Sequence, residues 1–395
     1  MTYKFRLNPT KSQRTLLDNT LELCRWVYNE TLAIRKNNWE QEKKSVSCYD
    51  TIKMLPGWKK EKPELLQVYS QVLQEVCNRV DLAFGAFFRR VKSGEKPGYP
   101  RFRGRGWYDS FTYPQTGFTL CDNGLLLSKI GAIKIIQHRP IEGKIKTLNI
   151  HHDPVGNWYA CFSCEVEPIP LPESKKAVGV DVGLTSFATL SSGEKIDNPR
   201  FFRQDEKELA KAQRKLSQAE KGTPERAKRR KAVGHVHQRI SNRRKDFAHK
   251  LSRQLVNEYG IIALEKLNTK GMLQNHCLAK SISDAAWNQF AQYAQYKAAN
   301  AGRACVLVPS KNTSKMCSRC GTLVEKDLSV RVHDCPVCSL KIDRDENAAI
   351  NILASGLRCL GASPRSPRLK PSGLPTSWEK IKYKPIHGSS ERMGY

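Results

Sequence analysis

Two sets of residues in this chain have types and spacings that could do chemistry. The first is Cys317-x2-Cys320, followed after fourteen residues by Cys335-x2-Cys338. Each pair can grip one ion from a tight turn, and four thiolates close a tetrahedron, the donor set of structural zinc. A redox dithiol needs only one pair on a thioredoxin-like helix. His333, two residues before Cys335, is a spare imidazole that a four-sulfur set does not require. The second set is acidic. Asp181 sits in the apolar run Val178-Gly179-Val180-Asp181, and Glu265 ends Ile261-Ile262-Ala263-Leu264-Glu265. A charge inside an apolar strand is costly unless it is paired or holds a metal. Asp343 and Asp345 compete for a third place, at the start of an amphipathic stretch where Asp343 would also serve as a helix N-cap. One such acid could simply be salt-bridged to a basic neighbour. Three at one end of a sheet could hold two Mg2+ ions about 3.5–4 Å apart, the arrangement that hydrolyses phosphodiesters.

A third pattern concerns binding. Phe87, Phe88, Arg89, Arg90, Lys92, Lys96, Tyr99, Arg101, Phe102, Arg103, Arg105, Trp107 and Tyr108 fall within 22 residues. Cations neutralise phosphates while rings stack on bases. Residues 203–253 carry 17 Lys/Arg against 6 Asp/Glu and include Arg229, Arg230, Arg243 and Arg244. Any one of these is ordinarily a solvated surface charge. The whole chain of 395 residues carries 67 Lys/Arg against 38 Asp/Glu, a net charge of +29, which calls for an anionic polymer as partner. No basic amphipathic helix with an aromatic face suggests a membrane surface instead. No apolar run reaches membrane-span length, and the N-terminus lacks a signal-peptide core, so a cytoplasmic location is expected. Thirteen cysteines without an export signal favour metal binding over a disulfide scaffold. Cys161 and Cys164 lie on an alternating strand and point to opposite faces, so they read as structural. His235-Val236-His237 resembles a metal-binding pair, but its surroundings are helical, where residues two apart do not share a face.

The elements that must position these residues can be read coarsely. YKFRL (3–7) alternates as a first strand. Apolar spacing predicts helices over about 12–35 and 64–90. Gly and Pro forbid regular helix in the stretch after Arg90. Short alternating runs from Phe111 to Glu167 predict an antiparallel sheet or small barrel. Pro168, Pro170 and Pro172 form a hinge. Beyond it come a buried strand turning into a second strand, two basic helices broken at Gly222-Thr223-Pro224, and a strand at GIIALEKL. A helix over 283–300, a strand at ACVLVP and a final helix near Asp345 follow. The stretch 359–395, rich in Pro, Ser and basic residues, reads as a disordered tail.

The segments YKFRLNPTKSQ, LCRWVYN, PGYPRFR, GVDVGL, NRRKDFAHKLS, LEKLNTKGM, TSKMCSRCG and DRDENAAINI occur in this order over about residues 3–355. As an ordered set they resemble the TnpB (OrfB) family, RNA-guided DNA endonucleases encoded by insertion sequences and related to compact type V CRISPR effectors. The resemblance implies an α/β multi-domain chain. Residues 1–172 would form a wedge-type β-barrel with a helical recognition insert at about 12–105. Residues 173–309 would form an RNase H-like (RuvC-type) nuclease domain containing the basic segment 203–253. A zinc ribbon would follow at 310–342, with the last nuclease segment at 343–358. It also implies that Asp181, Glu265 and Asp345 are the catalytic carboxylates, because Asp345 precedes x-Asn-Ala-Ala. The implied cofactors are structural Zn2+ and catalytic Mg2+, for which Mn2+ can stand in. The implied partners are a guide RNA from the transposon end and a double-stranded DNA target beside a short flanking motif. The alternatives are a guided DNA-binding regulator that no longer cuts, which would gain nothing from an intact acid set, and a plain zinc-ribbon transcription factor, which would not need the strand acids.

Overall fold

A computed structural model describes residues 1–122, 124–327 and 330–361. The chain divides into two compact units. One comprises Met1–Glu167 and Glu208–Gln238, the other Pro168–Lys207 and the chain from Arg239 onward. The expected basic segment 203–253 is thus shared between them, and almost all of the expected tail lies outside the described residues.

In the first unit, β1 (Thr2–Asn8) buries Tyr3, Phe5 and Leu7 and turns Lys4 and Arg6 outward, the alternation of a half-buried strand. α1 (Lys11–Glu42) starts at a capping box in which the side chains of Thr10 and Gln13 satisfy each other's backbone amides. It ends at Lys43 in the left-handed conformation. α2 (Cys48–Glu61) has no counterpart in the expected helices, because Pro56-Gly57 inside it reads as a break. The signal that reveals it is the second capping box, Ser47 with Asp50. The helix expected from residue 64 begins only at α3 (Ser70–Lys92), after a 3-10 turn at Pro63–Gln67. Six further strands follow: β2 (Ser110–Tyr113), β3 (Phe118–Cys121), β4 (Gly124–Leu127), β5 (Gly131–Ile136), β6 (Lys144–His152) and β7 (Trp158–Glu165). With β1 they form one seven-stranded sheet of order β2-β6-β7-β1-β5-β4-β3, antiparallel throughout. Cys164 is buried and Cys161 half-buried on β7, in keeping with a structural role.

The second unit is built on a five-stranded sheet. β8 (Ala177–Val182), β9 (Ser186–Leu190) and β10 (Lys195–Asp197) form an antiparallel meander. β11 (Ile261–Lys266) and β12 (Ala304–Pro309) extend the other side of β8 in parallel, giving the order β10-β9-β8-β11-β12. α4 (Phe201–Gln218) and α5 (Pro224–Glu258) are separated near Gly222-Thr223, as expected, and both pass from one unit into the other. His235 and His237 lie within α5. The helix expected over 283–300 is interrupted at Ala286, which takes a left-handed conformation between α7 (Ala279–Ala285) and α8 (Trp287–Asn300); a short α6 (Thr269–Met272) precedes them. β13 (Val332–Asp334) and β14 (Lys341–Asp343) form a hairpin that leads into α9 (Arg344–Cys359).

The core strands β8 and β11 are buried on both faces, as parallel strands between helical layers must be. Val178, Val180, Ile262 and Leu264 pack with Leu251, Leu255, Phe290, Ala294 and Ala298 of α5 and α8. The alternate positions, Gly179 and Ala263, face α9. Gly179 has no side chain because none fits: a Cβ there would lie 2.0 Å from the Ala349 carbonyl oxygen. Among the described residues no helix is long and apolar enough to cross a membrane.

Candidate functional site

The period of two along a strand determines where the strand acids go. Asp181 lies two residues beyond Gly179, and Glu265 two beyond Ala263, so both take the α9 side of the sheet. The register Leu264↔Val180 makes them next neighbours, at the carboxyl ends of adjacent parallel strands. This is where open α/β sheets gather their ligands. α9 runs back along the sheet, so the residue one turn before Ala349 is Asp345. Burial drives the Asp181 carboxyl well above the usual carboxylate range, and the nearby charges of Glu265 and Asp345 push it further; Arg344 pulls the other way. Glu265 is also raised by burial, against a 2.5 Å hydrogen bond donated by the Thr313 hydroxyl. Two buried carboxyls that resist ionising on adjacent strands are what a divalent cation would relieve.

The acids do not close on one another. Among the described residues, the four cysteines are the only group of three or more His/Cys/Asp/Glu whose ligand atoms all lie within 4.8 Å of one another. Asp345 is turned to Arg344, which donates from Nε at 3.0 Å and from Nη2 at 2.9 Å, with Arg331 at 3.8 Å from its other oxygen. Asp343 has a different position. Its Oδ1 accepts the amides of Asp345 (2.9 Å) and Glu346 (3.2 Å), capping α9, and its Oδ2 pairs with Lys195 at 2.7 Å. Burial alone would raise its pKa; the Lys195 hydrogen bond and the two amides outweigh that and hold it below the usual range. Asp343 is the N-cap, and of the two helix acids Asp345 acts the more strongly on Asp181.

The four cysteine sulfurs come together from the two knuckles. Cys317 Sγ is 3.6 Å from Cys338 Sγ, and Cys320 Sγ is 3.6 Å from Cys335 Sγ. A tetrahedron of 2.3 Å metal–sulfur bonds has edges of about 3.8 Å, so the set fits a metal such as zinc. The Thr322 hydroxyl and amide draw the Cys320 thiol down to about 6. Cys338 goes the other way, to about 12, first through burial and then through the neighbouring sulfurs. Gly321, at φ +78°, makes the knuckle turn. His333 is not a ligand in this arrangement: its Nδ1 faces Lys326 Nζ at 2.5 Å.

Sequence reasoning missed the residues that tie these two sites together. Asn347 and Asn351, buried and four apart on α9, hold the chain entering the first knuckle. Asn347 accepts from the Ser318 amide at 2.9 Å and donates to the Met316 carbonyl at 2.8 Å. Asn351 donates to the carbonyls of Thr313 (2.8 Å) and Met316 (2.7 Å). The signal was present, as two amides at helical spacing among Ala348, Ala349 and Ile352, where an apolar face has no use for them.

The candidate nucleic-acid contacts divide. In the first unit Arg89, Arg101, Arg103 and Arg105 are exposed and Arg90 is half-buried. Trp107 is 78% exposed and Phe102 53%. Phe87 and Tyr99 pack edge to face, and Tyr108 is buried, so those rings serve the fold. The Arg103 backbone is pinned by Asn29 from both sides (2.8 and 3.0 Å). On α5, Arg230 is exposed and Arg229 pairs with Glu225 at 2.6 Å. In the second unit Arg244 is engaged with buried Asp284 at 2.7 Å, and Arg243 lies 3.5 Å from Asp205 and over the Phe201 ring. Those two arginines fasten α5 to the start of α4 and the end of α7.

Fold and site together define an α/β protein with acids at the carboxyl ends of adjacent parallel strands and a four-cysteine group that could hold a metal. Comparisons give this class a family. Residues 161–276 match the OrfB family of IS605, described as a probable transposase. Residues 287–352 match the Cas12f1-like TNB domain. Residues 1–44 match the OrfB helix-turn-helix domain, although here they form β1 and the single long helix α1. A Streptomyces pristinaespiralis protein named "Putative RNA-guided DNA endonuclease" is 40% identical over 90% of this chain and 89% of its own length. "Putative RNA-guided DNA endonuclease InsQ" of Escherichia coli K12 is 30% identical over 90% and 92%. A solved CRISPR-Cas12f ternary complex aligns at 14% identity over 86% of this chain and 81% of that one, with a TM-score of 0.38, too low to bear on the fold. The chain belongs to the TnpB (OrfB) family.

Proposed function

We propose that this chain is an RNA-guided, metal-dependent DNA endonuclease, and that Asp181, Glu265 and Asp345 hold two Mg2+ ions at its cutting site. The observation that carries the reading is the placement of Asp181 and Glu265 side by side at the carboxyl ends of β8 and β11, with Asp181 discouraged from ionising first by burial and then by the charges of Glu265 and Asp345. When bound, the ions supply an activated water and stabilise the leaving oxygen of the phosphodiester. The residues do the rest. Asp181 and Glu265 hold their carboxylates on a rigid sheet, and Asp343 fixes the start of α9 so that Asp345 stands in place. Arg344 offsets part of the negative charge. The meander followed by two parallel strands supports an RNase H-like (RuvC-type) reading of the second unit. The antiparallel sheet and three helices support a wedge-type domain with a helical insert in the first.

The ribbon between β12 and α9 is read as a structural Zn2+ site on Cys317, Cys320, Cys335 and Cys338. Guidance by RNA from the transposon end, and recognition of a flanking motif, rest on the relatives' names and on the resemblance in the sequence. The exposed Arg89, Arg101, Arg103, Arg105 and Arg230 are the phosphate contacts the geometry supports best. The test is cleavage of labelled duplex DNA by protein carrying its co-purified RNA, with and without Mg2+, and by the same protein stripped of RNA. Site-specific cutting that needs both supports the reading. Cutting by RNA-free protein removes the guidance, and cutting in excess EDTA removes the metal.

A further inference from the structure

The four-cysteine cluster and the acids are joined by a short covalent and hydrogen-bonded path. Thr313 is 7% exposed and lies four residues before Cys317. Its hydroxyl donates to Glu265 Oε1 at 2.5 Å. Between Thr313 and Ser318, the carbonyls of Thr313 and Met316 and the amide of Ser318 are all held by Asn347 and Asn351. Those two asparagines stand on α9, the helix that presents Asp345. One six-residue segment therefore touches Glu265 by a side chain, grips the helix of Asp345 by its backbone, and ends in the first cysteine knuckle.

We propose that residues 313–318 are a positioning element of the cutting site, in which Thr313 orients Glu265 as a metal ligand and the cysteine cluster keeps Thr313 in register. This rests on the reading of Glu265 as a ligand given above. Three physical points carry it. A carboxylate at the end of a strand is free to rotate about its side-chain torsions, and a single buried hydroxyl donor fixes which oxygen faces the cluster. A hydrogen bond to an ionised carboxylate is among the strong ones, and removing an outer partner of a metal ligand typically weakens metal binding about 10–100-fold. Finally, α9 packs closely on β8 at Gly179, and 313–318 is bonded both to that helix and to Glu265.

The test is Mn2+ binding to the full, RNA-free chain, followed by electron paramagnetic resonance, alongside the Mn2+ dependence of guided cutting. Thr313→Val keeps the shape and loses the donor. It should weaken Mn2+ binding at least tenfold and shift the cutting midpoint by a similar factor, while zinc content and RNA binding stay as in the parent. Thr313→Ser should bind Mn2+ within threefold of the parent. If Thr313→Val loses zinc, the pair Thr313→Ala and Thr313→Ser decides, because they differ by the hydroxyl alone. Mn2+ affinity in the hydroxyl-free variant within twofold of its hydroxyl-bearing partner overturns the proposal. Glu265→Ala sets the reference: if it loses Mn2+ and cutting while Thr313→Val does not, the positioning role fails and the cutting site stands. If Glu265→Ala itself binds and cuts normally, the cutting-site reading fails first.

Discussion

Gly179→Ala should damage cutting far more than its one added methyl suggests. The new Cβ would lie 2.0 Å from the Ala349 carbonyl oxygen, 2.7 Å from the Leu353 amide nitrogen and 2.8 Å from Leu353 Cβ, against about 3.4 Å for ordinary contact. The first two atoms are backbone, so no flexible side chain can yield. α9 must lift from β8 by more than ~1 Å, or the strand must bend. Overpacking of this kind costs about 1–3 kcal/mol. At roughly 2–4 °C per kcal/mol for a unit of this size, the melting temperature should fall by several degrees. The larger effect is geometric. Asp345 rides on the displaced helix one turn from Ala349, and a misplacement of ~1 Å at a reacting centre can cost about 100-fold in rate. The assay is single-turnover cleavage at saturating guide and DNA, with thermal melting of the same sample. Gly85→Ala is the control: nothing lies within 4 Å of a Cβ built there, on the exposed side of α3, and a helical Gly→Ala change should be neutral or stabilising by about 0.5–1 kcal/mol. Parental cutting by Gly179→Ala would refute the argument that α9 sets the position of Asp345.

Cys320→Ser or Cys338→Ser should lower zinc content, solubility and cutting together, with one zinc per chain in the parent by elemental analysis. In metal-free protein the raised Asp181 contributes stability that is present below the ordinary carboxylate range and lost as pH rises through its elevated value. At neutral pH Asp181→Asn should therefore melt higher than the parent without Mg2+, and added Mg2+ should raise the parent more than the variant. The Mg2+ needed for half-maximal cutting should increase as pH falls below neutral, since protons compete for Asp181 and Glu265. Nucleic-acid affinity should fall steeply between low and physiological salt, and reversing Arg101, Arg103 and Arg105 should flatten that slope. Reversing Arg244 should instead cost stability, because Asp284 would lose its partner.

Much of the site was legible because its signals are local. Cysteine spacing names a four-sulfur cluster without a fold, and acids inside apolar strands stand out against the expected period of two. The strands themselves were readable for the same reason. What escaped was either masked by local chemistry or not local. Pro56-Gly57 hid α2 despite a good capping box, and Ala286 broke a helix with no Gly or Pro to announce it. Thr313, Asn347 and Asn351 have meaning only once β11, the knuckle and α9 are side by side. Arg243 and Arg244 look like phosphate binders in a basic run, and only tertiary structure shows that Asp205 and Asp284 face them. Asp343 and Asp345 were separable in sequence only through the family resemblance; the cap hydrogen bonds now give a physical reason for the same choice.

The most direct test of the central claim is single-turnover cleavage of a guided DNA target by Asp181→Ala, Glu265→Ala, Asp345→Ala and Asp343→Ala, with RNA and DNA binding measured on each. The first three should not cleave, with binding intact. Asp343→Ala should lose on the order of 1 kcal/mol of stability from the missing cap and retain most of its cutting. Cleavage by all three primary variants, or loss of cutting in Asp343→Ala with Asp345→Ala still active, would contradict that claim.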